Sequence, residues 1–395
     1  MAPRFNPIIA KKGKTRQVLK RPAYLKPKKK ANWQRVPYVR DPEAVKQVRG
    51  DRDSWKRSLP ELLTCSPRAL VELLRKDGLL PRLEGSVCPR CQHGTLGKLA
   101  PQRQGGPPKH RCNAKNCQAY ISPHYAHPLF VDHWGKSHTP LSTQAALLLL
   151  LLNRVPHAAI HRLMYVNHKA IEDMQKRLYT LREAYVLEKE KEICFGRGHE
   201  WADVEADEAT FAKKIVQGQV QWEQWCGIVQ RGKPGTLVLH RLKPPLAALR
   251  APGPGAVRKV EWKPIAKKWL EGKNVILHTD SAKSYRAQVP GMLHDRVVHK
   301  KTRVKVGNKF RWVAPKYVEV QKHRLPGGKV MQVKSGTQIV DRCWRFLKER
   351  VTLNQQACVG ARMLCMQLRS GQYEYWNRGK DLWTCTGALV QWYLG

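Results

Sequence analysis

The sequence predicts an α/β domain built on a mixed five-stranded sheet, preceded by a small cysteine module and a helical region. Three observations predict it. From Trp201 onward the pattern runs three strands, a helix, a strand, a connection and a strand, the order of a sheet closed by a helical crossover. Upstream, the close pair Cys88 and Cys91 ("CPRC") precedes a second pair, Cys112 and Cys117 ("CNAKNC"). Between these and the strands, residues 139 to 190 keep helical periodicity with only short breaks.

Charge sets the partner class. The chain of 395 residues carries 73 Lys and Arg against 30 Asp and Glu, a formal net charge of +43. That is the footprint of a polyanion binder, and double-stranded DNA is the expected partner. The longest apolar run, Ala145 to Leu152, falls well short of the roughly 18 residues of a membrane span, so no membrane partner is expected. The 11 cysteines are scattered behind an opening too charged for a secretory leader, so a reducing compartment is expected, with paired cysteines reserved for metal. The "KPKKK" stretch reads as a nuclear address or a phosphate-binding arm. This implies the nucleus in a eukaryotic cell, and otherwise the cytoplasm or nucleoid.

Residues 1–55 are basic and proline-interrupted, and are expected to be a disordered arm. Residues 56–83 form a short helical segment, with Ser66-Pro67 starting one helix and Gly78 ending it. Residues 84–130 read as a zinc ribbon, since four thiolates suit structural Zn²⁺ and so small a module needs metal in place of a core. Four residues separate Cys112 from Cys117, so His110 or His93 stays open as a substitute ligand. Residues 139–192 give three helices broken at "NRVP" and "VN". On the third, Ile171, Met174, Leu178 and Leu181 share a face, and the other face offers Lys169, Lys176, Arg177 and Arg182 to phosphates. A helix-turn-helix and a plain bundle joining two domains both fit.

Residues 199–395 form the α/β domain. Its strands are "WADVEADEATF", "QWEQWCGIVQRG", "GTLVLHRLK", "NVILHTD" and "DRVVHKK", with "PPLAALRAPGPGA" a loop and "KPIAKKWLEG" a helix. A basic hairpin turned at Pro326-Gly327-Gly328 offers Lys322, Arg324 and Lys329 to phosphates. A helix follows, with Ser335 and Gln338 at capping-box spacing and Lys348 near its end.

The scarce acids carry the chemistry. Alternation in "ADVEADEAT" puts Val204, Ala206 and Glu208 on one face, and Asp203, Glu205 and Asp207 on the other. Asp280 ends the apolar strand "VILHTD", at the edge where α/β sheets place ligands. Asp341 lies early in the helix after Ser335. Alone, Asp280 reads as a turn residue and Asp341 as helix-dipole compensation. Together, acids from two strands and a helix can converge on two Mg²⁺ or Mn²⁺ ions, the pair that serves phosphodiester chemistry.

With these features the chain resembles the insertion-sequence-related transposases of the Merlin kind, from about Cys88 to Arg378. "VEADEATF" resembles the family's first-acid strand and points to Asp207. "HTDSAKSY" is similar to the second-acid strand end, giving Asp280 and Tyr285. "HDRVVHKK" resembles the next strand, with His294 and His299. "GTQIVDRCWRFLKERV" resembles the third-acid segment, with Thr337, Gln338, Asp341, Trp344, Leu347 and Lys348 in register, and "YEYWNR" the closing aromatic cluster. Asp341 stands where the family has Glu, Gly336 where it has His, and Gln338 where it has Asn. The resemblance implies a ribonuclease H-like DDE/DDD core with Asp207, Asp280 and Asp341 catalytic. It further implies metal-dependent cleavage at element ends, strand transfer into target DNA, terminal-repeat recognition by ribbon and helix-turn-helix, and a homo-oligomer on DNA. A domesticated copy that binds DNA without cutting, and a ribonuclease H-like nuclease, are the alternative expectations.

Overall fold

The structure is a computed structural model that describes residues 35–41, 55–101, 107–131, 139–196, 201–287, 289–299 and 301–395. Most of the expected basic arm lies outside the described residues.

Local signals start the first helices as expected. A capping box between Ser58 and Glu61 opens α1 (Leu59–Thr64). Ser66 caps α2 (Pro67–Lys76), and Gly78 takes a left-handed φ of 76° just beyond it. The cysteine module follows, with short antiparallel strands β1 (His110–Arg111) and β2 (Tyr120–Ile121). Next come α3 (Leu141–Leu152), α4 (His157–Met164) and α5 (His168–Lys189). Apolar on nearly every side, α3 is the buried centre of a bundle. Around it pack Leu62, Leu74, Ile160, Ile171 and Leu178.

The sheet begins with β3 (Ala202–Val216) and β4 (Gln219–Gln230), joined at Gln217-Gly218, both left-handed as a tight hairpin turn demands. Then come β5 (Val238–Arg241), β6 (Ala247–Ala248), α6 (Lys259–Leu270), β7 (Val275–Thr279) and β8 (Met292–Arg296). The order is β5-β4-β3-β7-β8, with β6 pairing the far end of β4. The β3–β7 and β7–β8 pairs are parallel and the rest antiparallel. The sheet is therefore mixed and compatible with a ribonuclease H-like core. It carries one short strand, β6, inside the segment expected as a loop.

Two hairpins follow: β9 (Thr302–Val306) with β10 (Lys309–Val313), and β11 (Glu319–Arg324) with β12 (Val330–Ser335). The second was expected and the first was not. The chain closes with α7 (Gln338–Lys348), α8 (Arg362–Trp376) and α9 (Leu382–Leu394). Helix α6 covers one sheet face through Trp262, Ala266 and Leu270 against Val204, Ala206 and Leu277. Helices α7 and α8 cover the other, through Val340, Trp344, Leu347 and Leu368 against Trp225, Val229 and Leu239. The acid-bearing face of β3 thus lies under α7.

Helix α9 does not stay with the sheet. Trp383, Leu389 and Val390 join the bundle core, and the Trp383 indole donates to Asp77 at 2.8 Å. Gly387 lies against the Asp77 carbonyl, where a Cβ would come within 1.9 Å. No described helix is long and apolar enough to cross a membrane.

One expected DNA contact is corrected. Arg182 is buried at 2% exposure and donates to Glu374 at 2.7 Å and to Ser370 at 3.1 Å, both on α8. The second half of α5 is the seam between bundle and sheet domain, so the face that a lone amphipathic helix would expose is covered there. Lys169, in the first turn, is exposed and pairs with Asp173 at 3.0 Å. Arg182→Ala should destabilise the protein by about 3 kcal/mol in urea denaturation, since it breaks a buried pair. Lys169→Ala should stay within about 0.5 kcal/mol.

Candidate active site and metal centre

The four cysteines draw together. Their sulfurs lie within 4.8 Å of one another, with Cys88–Cys117 at 3.9 Å and Cys91–Cys112 at 3.7 Å. Tetrahedral zinc with Zn–S near 2.3 Å needs sulfurs about 3.8 Å apart, whereas a disulfide needs about 2.05 Å. The donor set fits a metal such as zinc. Backbone N–H groups of Gly94 and His93 lower the Cys91 thiol to about 6, whereas burial pushes the neighbouring Cys112 up to about 12, so without a cation the cluster does not hold all its sulfurs as thiolates. A Cβ on Gly94 would sit 2.5 Å from the Cys112 sulfur, so glycine is what lets the two knuckles close. The histidine alternative is excluded for His110: its ring is buried, spanning from Arg75 to the Gly97 carbonyl. His93 is exposed and outside the cluster.

At the sheet, a parallel register does the positioning. The parallel register ends with Glu205 opposite His278, and Asp207 on β3 and Asp280, one residue past the end of β7, each lie two residues beyond that pair. Asp280 accepts from the Ala282 N–H at 2.8 Å, so it makes the strand-end turn, and it acts electrostatically on Asp207. Asp341, in the first turn of α7, accepts from the Thr337 hydroxyl at 3.3 Å. Burial pushes Asp207 well above the ordinary carboxylate range, reinforced by Glu208, Asp341 and Asp280. Burial, then Glu205, pushes Asp341 the same way, and Asp280 adds to it. Among the described residues none of the three aspartates makes an ion pair. The four cysteines form a group with ligand atoms close enough to hold a metal ion, and among the described residues the three aspartates do not.

The structure assigns the neighbouring acids other work. The Glu205 carboxylate is fully buried and accepts from Arg231 Nε and the Tyr38 hydroxyl, each at 2.6 Å. Its second oxygen accepts from the N–H groups of Ile339 and Val340 at 2.7 and 2.9 Å. Glu205 therefore caps α7. The capping box expected from Ser335 and Gln338 is not made: Ser335 ends β12, Gln338 already begins the helix, and the Thr337 side chain at the cap accepts no backbone N–H. Asp203 is held by Arg40 at 2.6 Å and by His278 at 3.0 Å, and His278 passes to Asp295 at 2.7 Å. On the other face, Glu208 accepts from the Tyr285 hydroxyl and from the Val257 N–H. Tyr38 and Arg40 lie within the arm expected to be disordered. Their segment docks because it supplies a hydroxyl and a guanidinium to buried acids.

Gly227 is a further determinant. It pairs with Asp207 on β4, and a Cβ there would meet the Trp344 ring at 2.6 Å. The bare glycine lets that indole lie on the strand and donate to Asp207 at 3.1 Å. A glycine inside a strand, flanked by Trp225, Cys226, Ile228 and Val229, was the available sequence signal.

A cavity of about 720 Å³ opens over these groups, walled by Asp207, Glu208, Asp341 and Trp344, with Arg345 and Lys348 on its rim. Lys322, Arg324 and Lys329 are exposed on the β11–β12 hairpin. Arg177 is half-buried, its guanidinium reaching the Leu129 carbonyl at 3.4 Å.

No known family model and no curated protein matches the chain. Among solved structures, the Mos1 strand transfer complex is similar at 13% identity, over 40% of this chain and 56% of that one. Its TM-score of 0.14 is too low to carry an argument.

Purified under reducing conditions, the protein should hold one zinc per chain by elemental analysis, and Cys88→Ser should lose it. Gly94→Ala should weaken retention against a chelator, by crowding Cys112.

Proposed function

We propose that the chain is a DNA transposase of the DDE/DDD type, cutting phosphodiester bonds at element ends and joining the freed 3′-OH to target DNA. One observation carries the reading. In a chain of net charge +43, Asp207 and Asp341 line one cavity, Asp280 acts electrostatically on both, and among the described residues none of the three makes an ion pair. Nearby buried acids are paired: Asp203 with Arg40, Glu205 with Arg231, Glu223 with Arg241. Unneutralised carboxylates over an open cavity suit hard divalent cations. Asp207, Asp280 and Asp341 would hold Mg²⁺ or Mn²⁺, two of which activate the attacking oxygen and stabilise the leaving one.

The chain's own groups supply the rest. The Trp344 N–H orients Asp207, and Arg345 and Lys348 meet the phosphates of the strand entering the cleft. Lys322, Arg324 and Lys329 extend that contact along the hairpin. The cysteine module, with Lys169 and Arg177, reads terminal repeats, and cutting two ends together calls for a homo-oligomer. The second reading, DNA binding without cutting, is favoured because among the described residues the three aspartates, unlike the cysteines, do not form a group with ligand atoms close enough to hold a metal ion.

Strand cleavage of DNA carrying the element's ends, with Mn²⁺, tests the proposal. Wild type should cut, and Asp280→Ala should fall by at least about a hundredfold, as loss of a metal-holding carboxylate does. Equal cutting by both contradicts the assignment. The pH sign follows from the raised Asp207 and Asp341: protons compete with the cation, so Mn²⁺ affinity measured calorimetrically should rise from mildly acidic to neutral pH.

A further inference from the structure

Hairpin β9–β10 is neither core nor part of the site just described. All its strand residues are exposed, including Phe310 at 58% and Trp312 at 66%. Its two-residue turn places Gly307 at a φ of 60°, which suits a tight hairpin. Register fixes what each face shows. Arg303 lies opposite Trp312 and Lys305 opposite Phe310, so one face alternates cation and aromatic ring. The Arg303 guanidinium sits 4.0 Å from the Phe310 ring centre. No acid occurs between Asp295 and Glu319, whereas Lys300, Lys301, Lys309 and Arg311 add further cations. An isolated two-stranded hairpin gains little from folding alone, so a pair of aromatics held exposed on one suits an occupant.

The foot of the hairpin is within electrostatic reach of Asp341. His299, just before β9, packs on Tyr317 just after β10, with ring centres 5.2 Å apart. The same His299 acts electrostatically on Asp341.

We propose that the β9–β10 hairpin binds an unpaired DNA strand, with bases stacked on Phe310 and Trp312 and phosphates held by Arg303 and Lys305. Charge selects a polyanion. Rings and cations interleaved on one face select a strand whose bases are free to stack, since duplex DNA hides its base faces. The choice of DNA over RNA rests on the phosphodiester reading of the acid cleft.

The test is fluorescence anisotropy of the full chain with a labelled single-stranded oligothymidylate, with a duplex of equal length and with single-stranded RNA. Phe310→Ala/Trp312→Ala should weaken single-strand binding at least about tenfold, and duplex binding less than about twofold. Arg303→Ala/Lys305→Ala should weaken both DNAs and flatten their salt dependence. All four residues are exposed on the hairpin, and unchanged circular dichroism and melting check the fold. Unchanged single-strand binding, or equal loss on duplex, overturns the proposal. So does tighter binding to RNA than to DNA. A shift from dimer to monomer with single-strand affinity intact would instead make the hairpin a self-association surface, and also overturns it. Cleavage is a separate readout: equal cutting by wild type and Asp280→Ala would remove the transposase reading without moving these binding curves.

Discussion

The arrangement turns on one buried carboxylate, Glu205. A fully buried charge survives only when paired and hydrogen-bonded, and Glu205 finds four donors: the Arg231 guanidinium, the Tyr38 hydroxyl and two amides at the start of α7. The amides are the orphan donors of a helix N-terminus, whose dipole favours an anion. Arg231 in turn donates to the carbonyls of Lys334 and Gly336, so the entry of the helix is held from both sides. Everything α7 brings to the cleft follows from that seat. Asp341 lies in its first turn, Trp344 one turn on, and Lys348 at its end.

Acids in this chain divide by partner. Those that fasten parts together sit on guanidinium or imidazole groups, as Asp203 does on Arg40 and His278, and Glu374 does on Arg182 and Arg350. Those that wall the cavity are raised first by burial, and neighbouring carboxylates add to it, Glu208 for Asp207 and Glu205 for Asp341. Such repulsion costs stability and is relieved by a divalent cation, so it is a feature of a site rather than of a scaffold. A strongly basic chain has cations to spare, so it is the more informative that among the described residues none of these three aspartates makes an ion pair.

Much of this was legible in the residues because local rules dominate it. Period-two alternation put Asp203, Glu205 and Asp207 on one face, the end of an apolar strand marked Asp280, and the spacing of Cys88, Cys91, Cys112 and Cys117 anticipated the cluster. What was not legible is tertiary. Ser335 and Gln338 have the spacing of a capping box, yet a carboxylate more than a hundred residues upstream takes the cap. Arg182 looks solvent-facing on a helix considered alone, until α8 is laid against it. Tyr38 and Arg40 lie in sequence that reads as disordered, and the partners that hold them, the buried acids Glu205 and Asp203 among them, are more than a hundred residues away. The β9–β10 hairpin was readable in "TRVKVGNKFRWV", whose alternation is plain but places no residue in a core.

The most direct measurement is a crystal structure of the protein soaked in Mn²⁺, read by anomalous scattering. The account predicts manganese in the cavity under α7, at about the 2.1–2.2 Å expected of carboxylate oxygens, on Asp207 and Asp280 with Asp341 completing the second ion. A cavity that stays empty at saturating Mn²⁺, or manganese held there without Asp207 and Asp280, would contradict it.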